Sequence, residues 1–331
     1  MEQRTLGRTG FKVSPVALGT TEIGFVYGIG PRTVSTEEET EALLKRMVEL
    51  GVNFIDTAHF YGLAEERIGR SGVAKKDGVI VATKCGHILD RAEAIEPKIL
   101  EEEIRKEVEE SRRKLDLATL PLVMFHGGSK EQIESGLLVE IMQKLKDEGK
   151  VLYAGISTRG EEPPLAAIQT GFFDVLQLGH SILDQRMASR VFPAAQEANL
   201  GVVNRSVFLK GALTPAVKYL SPELNPLKEG SARAEEIARG LGIGLPALAV
   251  RFALSNPAVS TVLIGTNKLS HLESAVAAAE AGPLPKDVLA ELSKLAIDDV
   301  SQVDPAHWPP AAVSDQKGGK KIMPHFYKES K

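Results

Sequence analysis

The sequence predicts an α/β fold, a single (β/α)8 TIM barrel with an N-terminal β-hairpin and a C-terminal extension, and three observations carry that expectation. Short apolar runs alternate with amphipathic helical segments in about eight βα units. The runs are rich in β-branched residues and leucine and do not alternate with polar ones, as strands buried on both faces require. Asp56, Tyr61, Lys84 and His126 fall at or just beyond the C-terminal ends of such runs, on the face where a β/α barrel gathers its chemistry. At 331 residues the chain suits one barrel, because barrels commonly exceed ~250 residues as a single unit.

Residues 4–14, with Gly7 and Gly10 among them, read as a hairpin that plugs the bottom of the barrel. Strands are expected at 16–18, 53–56, 79–83, 120–125, 152–156, 175–178, 202–204 and 261–264. After the first strand, Ser35 and Glu38 form a capping box for a helix with Leu43, Leu44, Met47 and Val48 on one stripe, and Gly51 stops it. A helix beginning after Pro97 carries Leu100, Ile104, Val108 and Leu115 on one side. Another runs from Ser129, paired with Gln132 as cap, through Leu137, Leu138, Ile141, Met142 and Leu145 to Gly149. Residues 209–230 are rich in Pro and Gly without a clear period and read as a long active-site loop. The barrel unit is expected to span 1–300. Residues 301–331, Pro-rich and then basic, form the extension; its last part, 314–331, shows no helical pattern and reads either as a mobile tail or as a segment draped over the barrel mouth.

With 43% apolar and 25% charged residues the composition is ordinary for a globular protein and supports a large core without disulfides. A net charge of -4 and a pI near 6.1 argue against a nucleic-acid surface and for a small-molecule partner. The single cysteine, Cys85, cannot form an intramolecular disulfide and reads as a small buried hydrophobe in preference to a reactive thiol. His59, His87 and His180 make no zinc spacing with it, so no metal is assigned. No apolar segment follows the first residues as in a signal peptide, and no run approaches the ~20 residues that cross a bilayer. The expectation is a cytoplasmic protein without a membrane partner.

The four polar residues sit in a recognisable frame. Asp56-Thr57-Ala58-His59-Phe60-Tyr61-Gly62 holds the first two, Thr83-Lys84 closes the next strand, and Phe125-His126 closes the one after. In this order they resemble the catalytic tetrad of the aldo-keto reductase superfamily, and residues 4–14 are similar to its N-terminal segment. The resemblance extends to about Ile297. It implies reduction of an aldehyde or ketone by hydride from a nicotinamide, with a proton donor needed at the oxygen as charge develops. Tyr61 would be that acid. Tyrosine ordinarily titrates near ~10, so a cation, Lys84, is needed beside it to favour the phenolate. Asp56 would hold and charge Lys84, and a neutral His126 would donate a ring N–H to the carbonyl oxygen.

The same resemblance assigns the cofactor, which this family binds without a Gly-x-Gly-x-x-Gly turn, absent here after the first strand. Gly19, Thr20 and Thr21 would line the nicotinamide ribose, beside Asp56. Ser157, Thr158 and Gln177 would meet the carboxamide, with Thr158 standing where relatives carry Asn. Arg205 stands where a stacking Tyr is common and suggests positive charge near substrate or pyrophosphate. Ser206, Phe208, Lys210 and Gly211 belong to the pyrophosphate loop. Ile264, Gly265, Thr266, Asn267, Lys268 and His271 match the adenosine 2′-phosphate loop, with Lys268 as its cation. His271 replaces a common Arg. On balance NADP(H) is favoured over NAD(H). Gly127-Gly128 in place of a bulky residue suggests a roomier mouth and a sugar-like substrate, and Trp308, Phe326 and Tyr327 are candidates to wall it. The alternatives are an NAD-dependent sugar or polyol dehydrogenase and a cofactor-binding regulatory subunit of a membrane channel.

Overall fold

A computed structural model describes residues 1–90 and 95–309 of the chain. It begins with an antiparallel hairpin, β1 (Arg4–Thr5) and β2 (Lys12–Val13). The barrel strands are β3 (Val16–Gly19), β4 (Phe54–Asp56), β5 (Ile80–Cys85), β6 (Leu120–His126), β7 (Val151–Ser157), β8 (Val175–Gly179), β9 (Gly201–Arg205) and β10 (Thr261–Gly265). They close in the order β10-β3-β4-β5-β6-β7-β8-β9 with every pairing parallel. All eight expected strands are present, and most run one or two residues further at the C-terminal end. That extension matters, because it places Lys84, His126, Ser157 and Arg205 within paired strands.

Register then lines the strand ends up as a ring. Gly265 is opposite Gly19, Gly19 opposite Asp56, His126 opposite Ser157 and Ser157 opposite Gln177. Below this ring the bore is filled by Phe54, Ile80, Leu122, Met124, Val175 and Val203, with Leu6 and Val13 of the hairpin inserted among them. Both hairpin residues are fully buried, and Phe11 meets Tyr153 edge-on with centroids 5.0 Å apart. The hairpin is therefore the plug that the sequence suggests. Burying Leu6 and Val13 contributes roughly 1.5–3 kcal/mol each. A second, larger core lies between the outer faces of the strands and the helices, where Leu43, Leu44, Met47, Ile104, Ile141 and Leu145 are buried.

Several expectations are corrected. The first large helix is Glu37–Glu49, and its capping box is one residue later than expected: Thr36 Oγ1 accepts from Glu39 N at 3.2 Å while the Glu39 carboxylate accepts from Thr36 N at 2.9 Å. Ser35 is buried instead, with its hydroxyl unpaired among the described residues. Neighbouring Ser-Thr and Glu-Glu pairs give the same spacing twice, and burial of Ser35 decides between them. The Ser129–Gln132 box is present, but its helix ends at Glu134, and Gly136 at φ +80° starts a separate helix, Leu137–Asp147. Of the expected loop 209–230, only the part to Leu224 is irregular, as short turns; helix Asn225–Gly240 follows, because Pro226 stands in its first turn, where a missing N–H costs nothing. The chain beyond 300 continues as a turn of helix, Val300–Val303, and Val303 and Trp308 are buried in the outer core. The tail expected at 314–331, with Phe326 and Tyr327, lies outside the described residues.

The cap assignment is testable by denaturant unfolding. Thr36→Ala is expected to cost about 1 kcal/mol. Ser35→Ala, which deletes an unpaired buried hydroxyl, should change stability by less than ~0.5 kcal/mol. The reverse ranking would restore Ser35 as the cap.

Candidate active site

At the C-terminal ends of β4 and β5 a carboxylate and an ammonium meet inside the barrel. Lys84 Nζ donates to Asp56 Oδ1 and Oδ2, both at 2.8 Å, and to the Thr57 carbonyl at 2.9 Å. Lys84 is 1% exposed and Asp56 3%. Burial pulls the Lys84 pKa down, but the field of Asp56, with Tyr61 beside it, outweighs burial and leaves it above the usual lysine value. The amine is charged at neutral pH.

The loop after β4 brings Tyr61 over this pair, with Lys84 Nζ 4.9 Å from the ring centroid. The loop is pinned by Tyr61 N donating to the Ala58 carbonyl at 2.9 Å and by His59 N donating to the Lys84 carbonyl at 3.0 Å. Helix Thr21–Gly24 packs directly on it. A Cβ on Gly24 would lie 1.8 Å from the Tyr61 carbonyl oxygen, so only glycine permits this approach.

His126, the last residue of β6, faces Tyr61 with ring centroids 5.7 Å apart. Its Nδ1 is buried with no hydrogen-bond partner among the described residues. Burial, then the charges of Lys84, His87, Arg159 and Arg205, hold its pKa well below the usual imidazole range. The ring is neutral at physiological pH.

Ser157 and Gln177 lie side by side, Ser157 Oγ donating to Gln177 Oε1 at 3.1 Å, and Gln177 Nε2 donates across the bore to Asp56 Oδ1 at 2.6 Å. Thr158 is buried with its hydroxyl unpaired, and its carbonyl accepts from Arg205 at 2.8 Å. On the other wall Thr20 donates from both backbone N and Oγ1 to the Asp56 carbonyl, at 3.0 and 2.9 Å, while Gly19 ends β3 and Thr21 begins the short helix.

The segment after β9 is strained: Ser206, Leu209 and Lys210 hold φ of +62°, +44° and +53°, all left-handed for non-glycine residues. Phe208 is half-buried here and Gly211 closes the turn. Lys210 Nζ lies 5.7 Å from the Tyr27 ring and 5.9 Å from Trp308, so Trp308 covers this segment. Beyond β10, Ile264 is buried and Gly265 exposed. Thr266 Oγ1 accepts from Lys268 N at 3.0 Å and pairs with His271 Nδ1 at 3.0 Å, while Asn267 Nδ2 donates to the Thr33 carbonyl at 3.1 Å. Lys268 is exposed and makes no ion pair among the described residues.

Thus Asp56, Tyr61, Lys84, His126 and Gln177 come together around one point, with Gly19, Thr20, Ser157, Thr158 and Arg205 on the surrounding rim. The groups on 206–211 and 264–271 form two further stations. Sequence reasoning missed four residues. His87 stacks on Phe60 at 3.9 Å and stands edge-on to His126 at 5.1 Å. Arg159 faces Asp90 across the mouth at 3.5 Å. Arg32 and buried Glu22, paired at 3.4 Å, approach Lys268. All but Glu22 sit on loops or turns where hydrophobic periodicity is silent. At the two glycines read as opening the mouth, a Cβ on Gly127 would lie 2.3 Å from Asp90 Oδ1, and one on Gly128 would be in ordinary contact with Ile156, Leu138 and Ile133. The glycines answer to φ of +120° and +122°, and the space beside Gly127 belongs to Asp90. Cys85, 2% exposed, points away from Lys84; burial, then Glu107 and Glu65, push its thiol pKa well up, as befits an inert packing residue.

A closed parallel barrel with its polar residues gathered at the strand ends defines a barrel enzyme architecture, and comparison makes the class specific. The chain matches the Aldo/keto reductase family over residues 15–297 and belongs to that family, and it is an oxidoreductase. It is 31% identical over 294 residues to L-galactose dehydrogenase of Arabidopsis thaliana, covering 84% of this chain and 88% of that one. It is 26% identical over 295 residues to D-threo-aldose 1-dehydrogenase of a Pseudomonas species, covering 80% and 88%. Its fold superposes on an aldo-keto reductase of Bacillus halodurans solved in its holo form, with a TM-score of 0.74, 26% identity and coverage of 93% and 99%. Among the described residues no single helix is long and apolar enough to cross a membrane.

Breaking the buried ion pair should be costly. Asp56→Leu, which strands the Lys84 ammonium, is expected to lose about 3–5 kcal/mol in denaturant unfolding, and adding Lys84→Met should recover part of that loss. A double variant less stable than the single one would contradict this view of the pair.

Proposed function

We propose that this protein is an NAD(P)-dependent oxidoreductase that interconverts an aldehyde or ketone and the corresponding alcohol, with Tyr61 as general acid in reduction. The observation that carries the reading is the convergence of Tyr61, the buried Lys84–Asp56 pair and neutral His126 on one face of the bore. A bound nicotinamide supplies the hydride. In reduction, the Tyr61 hydroxyl gives its proton to the oxygen as alkoxide charge develops, and the Lys84 ammonium stabilises the phenolate left behind. His126, neutral, orients the oxygen through a ring N–H, and Asp56 keeps the ammonium charged and aimed.

The residues fit the cofactor. The unpaired Thr158 hydroxyl, with Ser157 and Gln177, offers donors and acceptors for a carboxamide. Arg205, Ser206, Lys210 and Gly211 supply positive charge and turned backbone for a pyrophosphate, and Lys268 with Asn267 and His271 at the start of helix Leu269–Glu280 suits a 2′-phosphate. We therefore favour NADP(H) over NAD(H). A second reading, a sugar dehydrogenase working in the oxidative direction, is supported by the two relatives named as dehydrogenases of sugars and by the polar Asp90–Arg159 wall at the mouth.

Turnover is to be followed at the nicotinamide absorbance over a panel of aldehydes, ketones and aldoses. Tyr61→Phe should lower it by roughly 100-fold or more while the protein stays folded; wild-type turnover would remove Tyr61 as the acid. Because His126 is held neutral, reductive turnover should not fall between pH 8 and 6. A loss centred near ~6.5 would mark an ordinary imidazole in the working step. Lys268→Ala should weaken NADP(H) binding at least ~10-fold more than NAD(H) binding in a fluorescence titration. Equal losses would place the phosphate elsewhere.

A further inference from the structure

The amide of Gln177, assigned above to the cofactor, is already engaged on its other side. Its Nε2 donates to Asp56 Oδ1 at 2.6 Å while its Oε1 accepts from Ser157 at 3.1 Å. Gln177 is 2% exposed and Asp56 3%, so neither bond competes with bulk water. In the closed strand order β8 stands diametrically opposite β4, four strands away by either route. The bond therefore spans the bore, and with Lys84 it completes an unbroken line from Ser157 through Gln177 and Asp56 to the ammonium. Lys84 holds both carboxylate oxygens and by itself leaves the carboxylate plane free to swing with it. The contact from the far wall removes that freedom.

We propose that Gln177 is a positioning residue for the Asp56–Lys84 pair: its amide locks the carboxylate from across the barrel and so aims the ammonium at Tyr61, whether or not a cofactor is bound. This rests on the reading of Tyr61 as the acid. Among the described residues the second amide N–H of Gln177 has only Met124 Sδ nearby, at 4.0 Å from Nε2, and Oε1 keeps a second lone pair. One side chain can thus hold Asp56 and a carboxamide together. Cofactor and acid are tied by a single amide.

Two variants test this. Gln177→Met keeps length but removes donor and acceptor; Gln177→Glu keeps length and can donate to Asp56 only while its carboxyl is protonated. With cofactor and substrate both saturating, Gln177→Met should lower kcat at least ~10-fold, and Gln177→Glu should regain activity relative to wild type as pH falls from 8 to 5.5. A mere cofactor contact would raise the dissociation constant and leave kcat and its pH profile alone, which would overturn the proposal. Thermal unfolding of the cofactor-free protein gives an independent arm. The new carboxyl, buried against Asp56, should titrate above its unfolded value of ~4.3, so the stability of Gln177→Glu relative to wild type is retained below that pH and lost as pH rises. Gln177→Met should show a pH-independent difference. Parallel pH dependence of Gln177→Glu and wild type would show that the contact with Asp56 is not made, and this arm decides even if no carbonyl or alcohol is turned over, the result that would sink the functional reading.

Discussion

A charged amine sealed in the middle of a barrel is the constraint around which the rest of the site is arranged. Lys84 can be buried only because Asp56 neutralises it and the Thr57 carbonyl takes a further hydrogen. That requirement fixes the ends of β4 and β5 relative to one another, and the loop leaving β4 must then turn so that Thr57 presents its carbonyl. The same turn delivers Tyr61 four residues later. The pair is thus both a liability for folding and the reason the phenol is held where it is, so stability and the placing of Tyr61 share one contact.

The surroundings keep charges apart in a consistent way. His126 stays neutral because it is buried among cations, while Lys84 stays charged because its partner is an anion. Two ionisable groups on adjacent strands, β5 and β6, are thereby driven to opposite protonation behaviour by neighbours alone. Barrel register makes this possible, since parallel strands present their last inward residues at nearly one height.

Most of the architecture was legible in the sequence because it rests on strong local signals. Apolar runs pointed to all eight barrel strands, and Ser129 with Gln132 to a cap that the structure retains. Errors arose where two local solutions compete or where tertiary contacts decide. The Ser35 and Thr36 caps have the same spacing, and only burial separates them. Gly127-Gly128 announces unusual backbone, but the side chain that fills the space, Asp90, arrives from another loop. For the candidate site, the residues at strand ends could be named from order and type. His87, Arg159 and Arg32 could not, since loops that converge at the mouth leave no period in the sequence, and the bond from Gln177 to Asp56 joins residues 121 positions apart.

The hairpin at the floor has a last implication. With Leu6 and Val13 packed beneath the side chains that fill the bore, the barrel is closed at its floor. Anything that reaches the ring of polar strand ends must therefore approach from the opposite, C-terminal side, and no path leads to it from below.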